Sequence, residues 1–209
     1  MRQKKKIFVS GAVRDVYPLR QFILNYQEYI DVLNHPGYQN NENKLIDEKY
    51  YRKLSEYLCC FTDASKYKYV LLKVFEICSV GSLLLCDDLI EIELYKMGFK
   101  SNINYISCNK DNLQSKIEWI LDKENRPEVN KIRLNGMKLV RKYHNTLERA
   151  KSFNNIIMSM TSTSFNKEAP PSSLPSSTAS LRNSNWKKSN SQVRMIFTNP
   201  AENKYEKVI

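Results

Sequence analysis

At 209 residues the chain has room for one domain of ordinary size and a segment beyond it, but not for two full domains. A hydrophobic share of 42% and a charged share of 26% exclude a wholly disordered chain. The net charge of +11 argues against a nucleic-acid-binding face on the fold: +4 lies in residues 2–6 and +4 in residues 160–209, leaving +3 for residues 7–159.

The elements follow in chain order. "KIFVSG" (6–11) reads as a buried strand closed by a glycine, and "YPLRQFILNYQEYI" from Tyr17 as a helix with Pro18 in its first turn. "IDVLNH" is a strand ended by the turn "HPGY" (35–38), "EKYYRKLSEY" a helix and "LCCFTD" a strand. "YVLLKVFEICSVG" predicts a helix from about Tyr69 to Gly81, buried almost all round, followed by the strand "SLLLCDD". "LIEIELYKMG" is a helix capped by Gly98, "INYISC" a strand, Asp111 opens "DNLQSKIEWILDK", and Pro127 opens a long helical segment reaching "NNIIM". From about residue 161 the composition turns to Ser, Pro, Asn and Lys, which predicts a disordered tail over 161–209 after an ordered domain over 1–160; "VRMIF" (193–197) is its one short apolar run.

Strands alternating with helices through short connections predict an α/β fold, a parallel sheet with helices on both faces. Such sheets take ligands outside the carboxyl ends of their strands, at the switch point. Those ends fall at Ser10–Arg14, His35–Tyr38, Thr62–Ser65, Asp87–Asp88 and Cys108–Asn109.

Cys59, Cys60, Cys78, Cys86 and Cys108 form no C-x-x-C pair, and most lie in apolar runs where free cysteine acts as a small hydrophobe. With two histidines they make neither a zinc site nor a disulfide framework, and a reducing compartment, the cytoplasm, is expected. Lys73 and Glu76 interrupt the longest apolar run before it reaches the ~18 residues that a membrane-spanning helix needs.

Several residues carry candidate chemistry. Ser10 and Gly11 would let backbone approach a phosphate, with Arg14 and Arg20 as charged donors; an ordinary tight turn with surface arginines fits the spacing equally well. His35 reads as a turn residue, and His144, in a polar helix, has less claim to a role. Asp87 and Asp88, adjacent at a strand end, point to opposite faces and do not grip one metal ion together; helix capping by Asp88 is expected. Lys73 and Glu76, three apart on one helical face, are either a surface ion pair or a polar stripe facing a cleft.

The succession "KVFEICSVGSLLLCDDL", "IEIELYKMGFKSNINYI", "DNLQSKIEWILDK" and "NGMKLVRKYHNTLERAKSF", with "SGAVRDVYPLR" and "HPGY" before it, resembles the C-terminal half of two-domain GT-B glycosyltransferases, in particular the CgeB-like group. The likeness runs from about Ser10 to Phe153 and implies a Rossmann-like domain that binds a nucleotide-diphosphate sugar. It implies no cofactor and no essential metal. In that family the glutamate of the "FE" element binds ribose hydroxyls, which maps onto Glu76, with Gly81 allowing close approach and Lys73 near the phosphates. Many relatives carry a second glutamate seven positions earlier; here that position is Tyr69. The resemblance covers only the donor half, so a second polypeptide is expected to supply the acceptor half. The alternatives are a non-catalytic nucleotide-sugar-binding or scaffold protein and, through the basic termini, a nucleic-acid binder.

Overall fold

The computed structural model describes residues 4–33, 47–64 and 66–164. The "HPGY" turn, "VRMIF" and the predicted tail beyond Ser164 lie outside those residues. Five strands, β1 (Lys4–Val9), β2 (Ile30–Val32), β3 (Tyr57–Thr62), β4 (Leu83–Asp87) and β5 (Ile106–Cys108), form one parallel sheet in the order β2-β1-β3-β4-β5. β3 and β4 are buried at every residue, which is why they read as unbroken apolar runs: parallel strands with both faces covered have no solvent side to alternate with.

Successive residues still divide between two cores. Ile7, Val9, Cys59, Phe61, Leu83 and Leu85 point to one face. It is covered by α1 (Pro18–Phe22) with the 3₁₀ turn Ile23–Tyr26, by α5 (Leu113–Leu121), and by the first half of α6 (Arg126–Tyr143) through Val129 and Ile132. Phe8, Cys60, Leu84 and Cys86 point to the other face, under α2 (Asp47–Ser55), α3 (Lys73–Ser79), α4 (Glu91–Lys96) and Val140 of α6. The result is the expected Rossmann-like layering with helices on both faces. All five cysteines are buried within it and unbridged, and burial pushes their thiols up, that of Cys60 to about 12.

The elements differ from the expected ones at several places: the strand expected over "INYISC" is only Ile106–Cys108, and the helix after it starts at Leu113 rather than Asp111. The first helix changes to 3₁₀ at Ile23 and ends at Tyr26, because Ile30 is drawn into β2. α3 begins at Lys73 rather than Tyr69, and Leu72 at its start is 69% exposed, so the helix is buried along one side only, by Val74, Ile77 and Cys78. Asp87, not Asp88, caps the 3₁₀ turn Asp88–Ile90 by accepting from the Leu89 amide at 3.0 Å. The long last helix breaks at His144, after which α7 (Thr146–Ser164) starts with Asn145 accepting from the Glu148 amide at 3.0 Å. Among the described residues no helix is long and apolar enough to cross a membrane.

Candidate functional site at the carboxyl edge of the sheet

From β1 the chain moves to β2 on one side and then to β3 on the other, so the crevice between the carboxyl ends of β1 and β3 is the switch point. Its floor is polar and closed. Ser10, just past β1, is buried and donates its hydroxyl to the Phe61 carbonyl at 3.0 Å, tying the two strand ends together. Asp63, just past β3, is fully buried. Its Oδ2 accepts from the Arg20 backbone amide at 2.9 Å, and its Oδ1 lies 2.7 Å from Arg20 Nη2 in an ion pair whose alignment falls short of a hydrogen bond.

Arg20 therefore lies inside the protein, not at the surface. Its guanidinium donates to the Ala12 carbonyl at 2.9 Å and to Thr62 Oγ1 at 3.2 Å, stacks 4.1 Å from the Tyr17 ring centre, and is 1% exposed. A group so engaged is a strut of the switch point and not a ligand donor, which corrects the expectation for Arg20. Burial raises the Asp63 carboxyl, against the opposing pull of the guanidinium and the backbone amide. Removing one member of such a pair leaves a buried charge uncompensated, at a cost of about 3–5 kcal/mol.

Gly11 lies directly over this strut. A Cβ there would sit 2.4 Å from Arg20 Nη1 and 3.0 Å from Lys73 Cε, so only glycine lets the strand end, the guanidinium and the lysine stem share the space. Lys73, the first residue of α3, directs its ammonium to the Tyr50 hydroxyl at 3.3 Å, and that hydroxyl donates to the Ser10 carbonyl at 3.2 Å. Glu76 follows one turn later, half-buried. Burial pushes its carboxyl above the usual range, with Lys73 pulling the other way; burial lowers the Lys73 ammonium, with Glu76 countering and Arg20 adding to the effect. Among the described residues Lys73 and Glu76 do not form an ion pair, so the surface-pair alternative does not hold.

Of the other candidates, Arg14 is exposed in the turn after Gly11, at the same edge but outside the network. Gly81 lies at the opposite, amino edge. It closes α3 with φ +82°, its amide donating to the Cys78 carbonyl at 3.0 Å and the Ser82 amide to Ile77 at 3.3 Å, the two bonds of a Schellman cap. Its role is to end α3 and turn the chain into β4, which corrects the expectation of a ligand-facing glycine. His35 lies outside the described residues. His144 rests on Phe99 and contacts the Met97 carbonyl at 2.8 Å, a packing role away from the site.

Asp87 at the end of β4 is 3% exposed, with burial pushing its carboxyl up to about 6. Asp88 accepts from Asn109 Nδ2 at 2.8 Å, linking the ends of β4 and β5. Among the described residues no group of three or more His, Cys, Asp or Glu side chains is arranged to hold a metal ion.

Of the network, Tyr50 escapes sequence reasoning, and Asp63 enters it only within the strand end at residues 62–65, without its role as partner of Arg20. Asp63 carries a signal, a carboxylate directly after six buried strand residues; Tyr50 reads as one more apolar position of an amphipathic helix. Neither a protein-family model nor a curated protein matches this chain.

Proposed function

We propose that the chain is the donor-binding half of a Leloir-type glycosyltransferase that takes a nucleotide-diphosphate sugar. The observation that carries the reading is the convergence of Gly11, Lys73 and Glu76 on the carboxyl edge of a parallel sheet, at its switch point. A half-buried ammonium, whose stem occupies the space that Gly11 leaves free, and a half-buried carboxylate one turn on are the two chemistries needed for diphosphate oxygens and ribose hydroxyls. The likeness of "KVFEICSVG" to the GT-B donor half supports the same assignment of Glu76.

In this reading Glu76 accepts hydrogen bonds from the ribose, Lys73 donates to the diphosphate, and Arg14 adds positive charge at the rim. Displacement at the anomeric carbon would then be assisted by the positive charge that Lys73 offers the departing diphosphate. The acceptor and a base would come from a second GT-B-type half on another polypeptide.

Calorimetric titration of the full chain with UDP, GDP and ADP tests the proposal. One nucleotide is expected to bind saturably, and Glu76→Ala to weaken it about tenfold or more while thermal unfolding shows an intact fold, since hydrogen bonds to a charged group are among the stronger ones. Affinity should fall on the acid side as Glu76 is protonated, at a higher pH than for an exposed carboxylate, because burial raises this group. Affinity unchanged in Glu76→Ala would remove Glu76 from the site, and no binding of any of the three would remove the proposal.

A further inference from the structure

Tyr50 is buried on α2, where the task of covering a sheet face calls only for an apolar side chain. A phenol in that place needs a partner for its hydroxyl once it leaves water. It has two: the hydroxyl donates to the Ser10 carbonyl at 3.2 Å and accepts from the Lys73 ammonium at 3.3 Å, and the same ammonium lies 5.0 Å from the ring centre. A phenol has one proton. With that proton committed to Ser10, only lone pairs face the lysine, and the direction of both bonds is fixed.

Three elements thus meet at one oxygen: α2, the end of β1 and the first residue of α3. The consequence falls on Lys73. Its stem passes over Gly11, within 3.0 Å of where a Cβ would stand, and its ammonium is held on one side by the hydroxyl and the ring. An ammonium has three donors, and among the described residues one of them is used. A lysine otherwise loses considerable rotamer freedom when it takes up an anion, and fixing it beforehand removes that penalty from binding.

We infer that Tyr50 is a positioning residue for the phosphate-binding part of the site, holding the Lys73 ammonium beside Gly11 so that nucleoside-diphosphate oxygens meet a donor already in place. The inference rests on the donor-site reading above. It adds a residue outside the stretches around Glu76 that carry the resemblance, one that acts through Lys73 rather than by touching the ligand. The charged and titratable groups facing the ammonium are Tyr50 from α2, Glu76 from its own helix and Arg20 from α1. Loss of the Tyr50 hydroxyl withdraws an acceptor from the charged amine, so Lys73 would lose its proton at lower pH.

The test is titration of full-length wild type and Tyr50→Phe with UDP, GDP and ADP across a pH series, with thermal unfolding of both. Tyr50→Phe is expected to bind the preferred nucleotide about tenfold more weakly and to lose affinity on the alkaline side at lower pH than wild type. A merely structural role would lower the unfolding temperature and leave that alkaline limb where it was. Equal affinity and an unmoved limb overturn the inference alone; a wild type that binds none of the three overturns the donor-site reading and this inference with it. The wild-type chain also decides by itself through Cε resonances of ¹³C-labelled lysine. Lys73 should stand apart from the exposed lysines before any nucleotide is added, and a Lys73 signal indistinguishable from theirs overturns the inference.

Discussion

Gly11 and Gly81 look alike in the sequence, each ending an apolar run, yet they lie at opposite edges of the sheet. Gly81→Ala forces a side chain into a left-handed conformation, with Met137 Sδ 3.1 Å from the new Cβ, and should cost about 1–2 kcal/mol of stability. Because the site is at the other edge, nucleotide affinity should stay as it was. Gly11→Ala is expected to cost stability as well, since its Cβ displaces the Arg20 strut, and by displacing Lys73 also to abolish nucleotide binding at conditions where most of the chain is still folded. Chemical denaturation and calorimetry on the two variants check both statements. Asp87 gives a pH-dependent case. Its folded-state value of about 6 is above the 3.8 of an unperturbed aspartate, so the folded protein holds its proton longer and stability falls as pH rises from about 4 through 6. Asp87→Asn keeps an oxygen for the Leu89 amide and removes the buried charge. It should stabilise the protein at pH 7 by roughly 1–3 kcal/mol and lose that advantage near pH 4, as read from urea midpoints at the two pH values.

At the scale of elements, the strands were the most legible part, because buried parallel strands are short apolar runs ended by polar residues. Helix limits were less so. The continuous apolar run from Val70 to Leu72 has no periodicity to say whether it is helical or extended, and the chain stays non-helical there until Lys73. The break between α6 and α7 was legible in "NTLE", where Asn145 stands three residues before Glu148 in the pattern of a helix start, although the apolar periodicity running through it masked the signal. What no pattern reveals is which side chain holds one element to another. Arg133 on α6 donates to the Gly81 carbonyl at 2.7 Å, and Arg141 donates to Ser79 at 3.0 and 2.9 Å, so α6 clamps the closing turn of the helix that carries Lys73 and Glu76. Arg133→Met keeps much of the aliphatic stem and removes the bond; it should cost about 1 kcal/mol and speed hydrogen exchange at the Gly81 and Ser82 amides relative to those of β3.

For the whole molecule, alternation of strands and helices sufficed to place candidate ligand groups at strand ends, but not to order the strands. The order decides which ends are neighbours. It brings Ser10 and Gly11 beside Asp63 and turns Arg20 from a presumed phosphate donor into the ion-paired strut beneath them. Long-range pairing of this kind leaves no trace in local spacing, which is why Glu76 and Lys73 were legible as a pair while Tyr50, some two dozen residues earlier, was not. The proposed site is therefore a property of the assembled sheet, and its location can be read without assuming the chemistry. Amide shifts of the ¹⁵N-labelled chain, followed as the preferred nucleotide is added, should move together at residues 10–11, 50, 62–64 and 73–76. Shifts gathered instead around Leu54–Tyr57 and Gly81–Ser82, at the amino edge, would contradict a ligand site at the switch point.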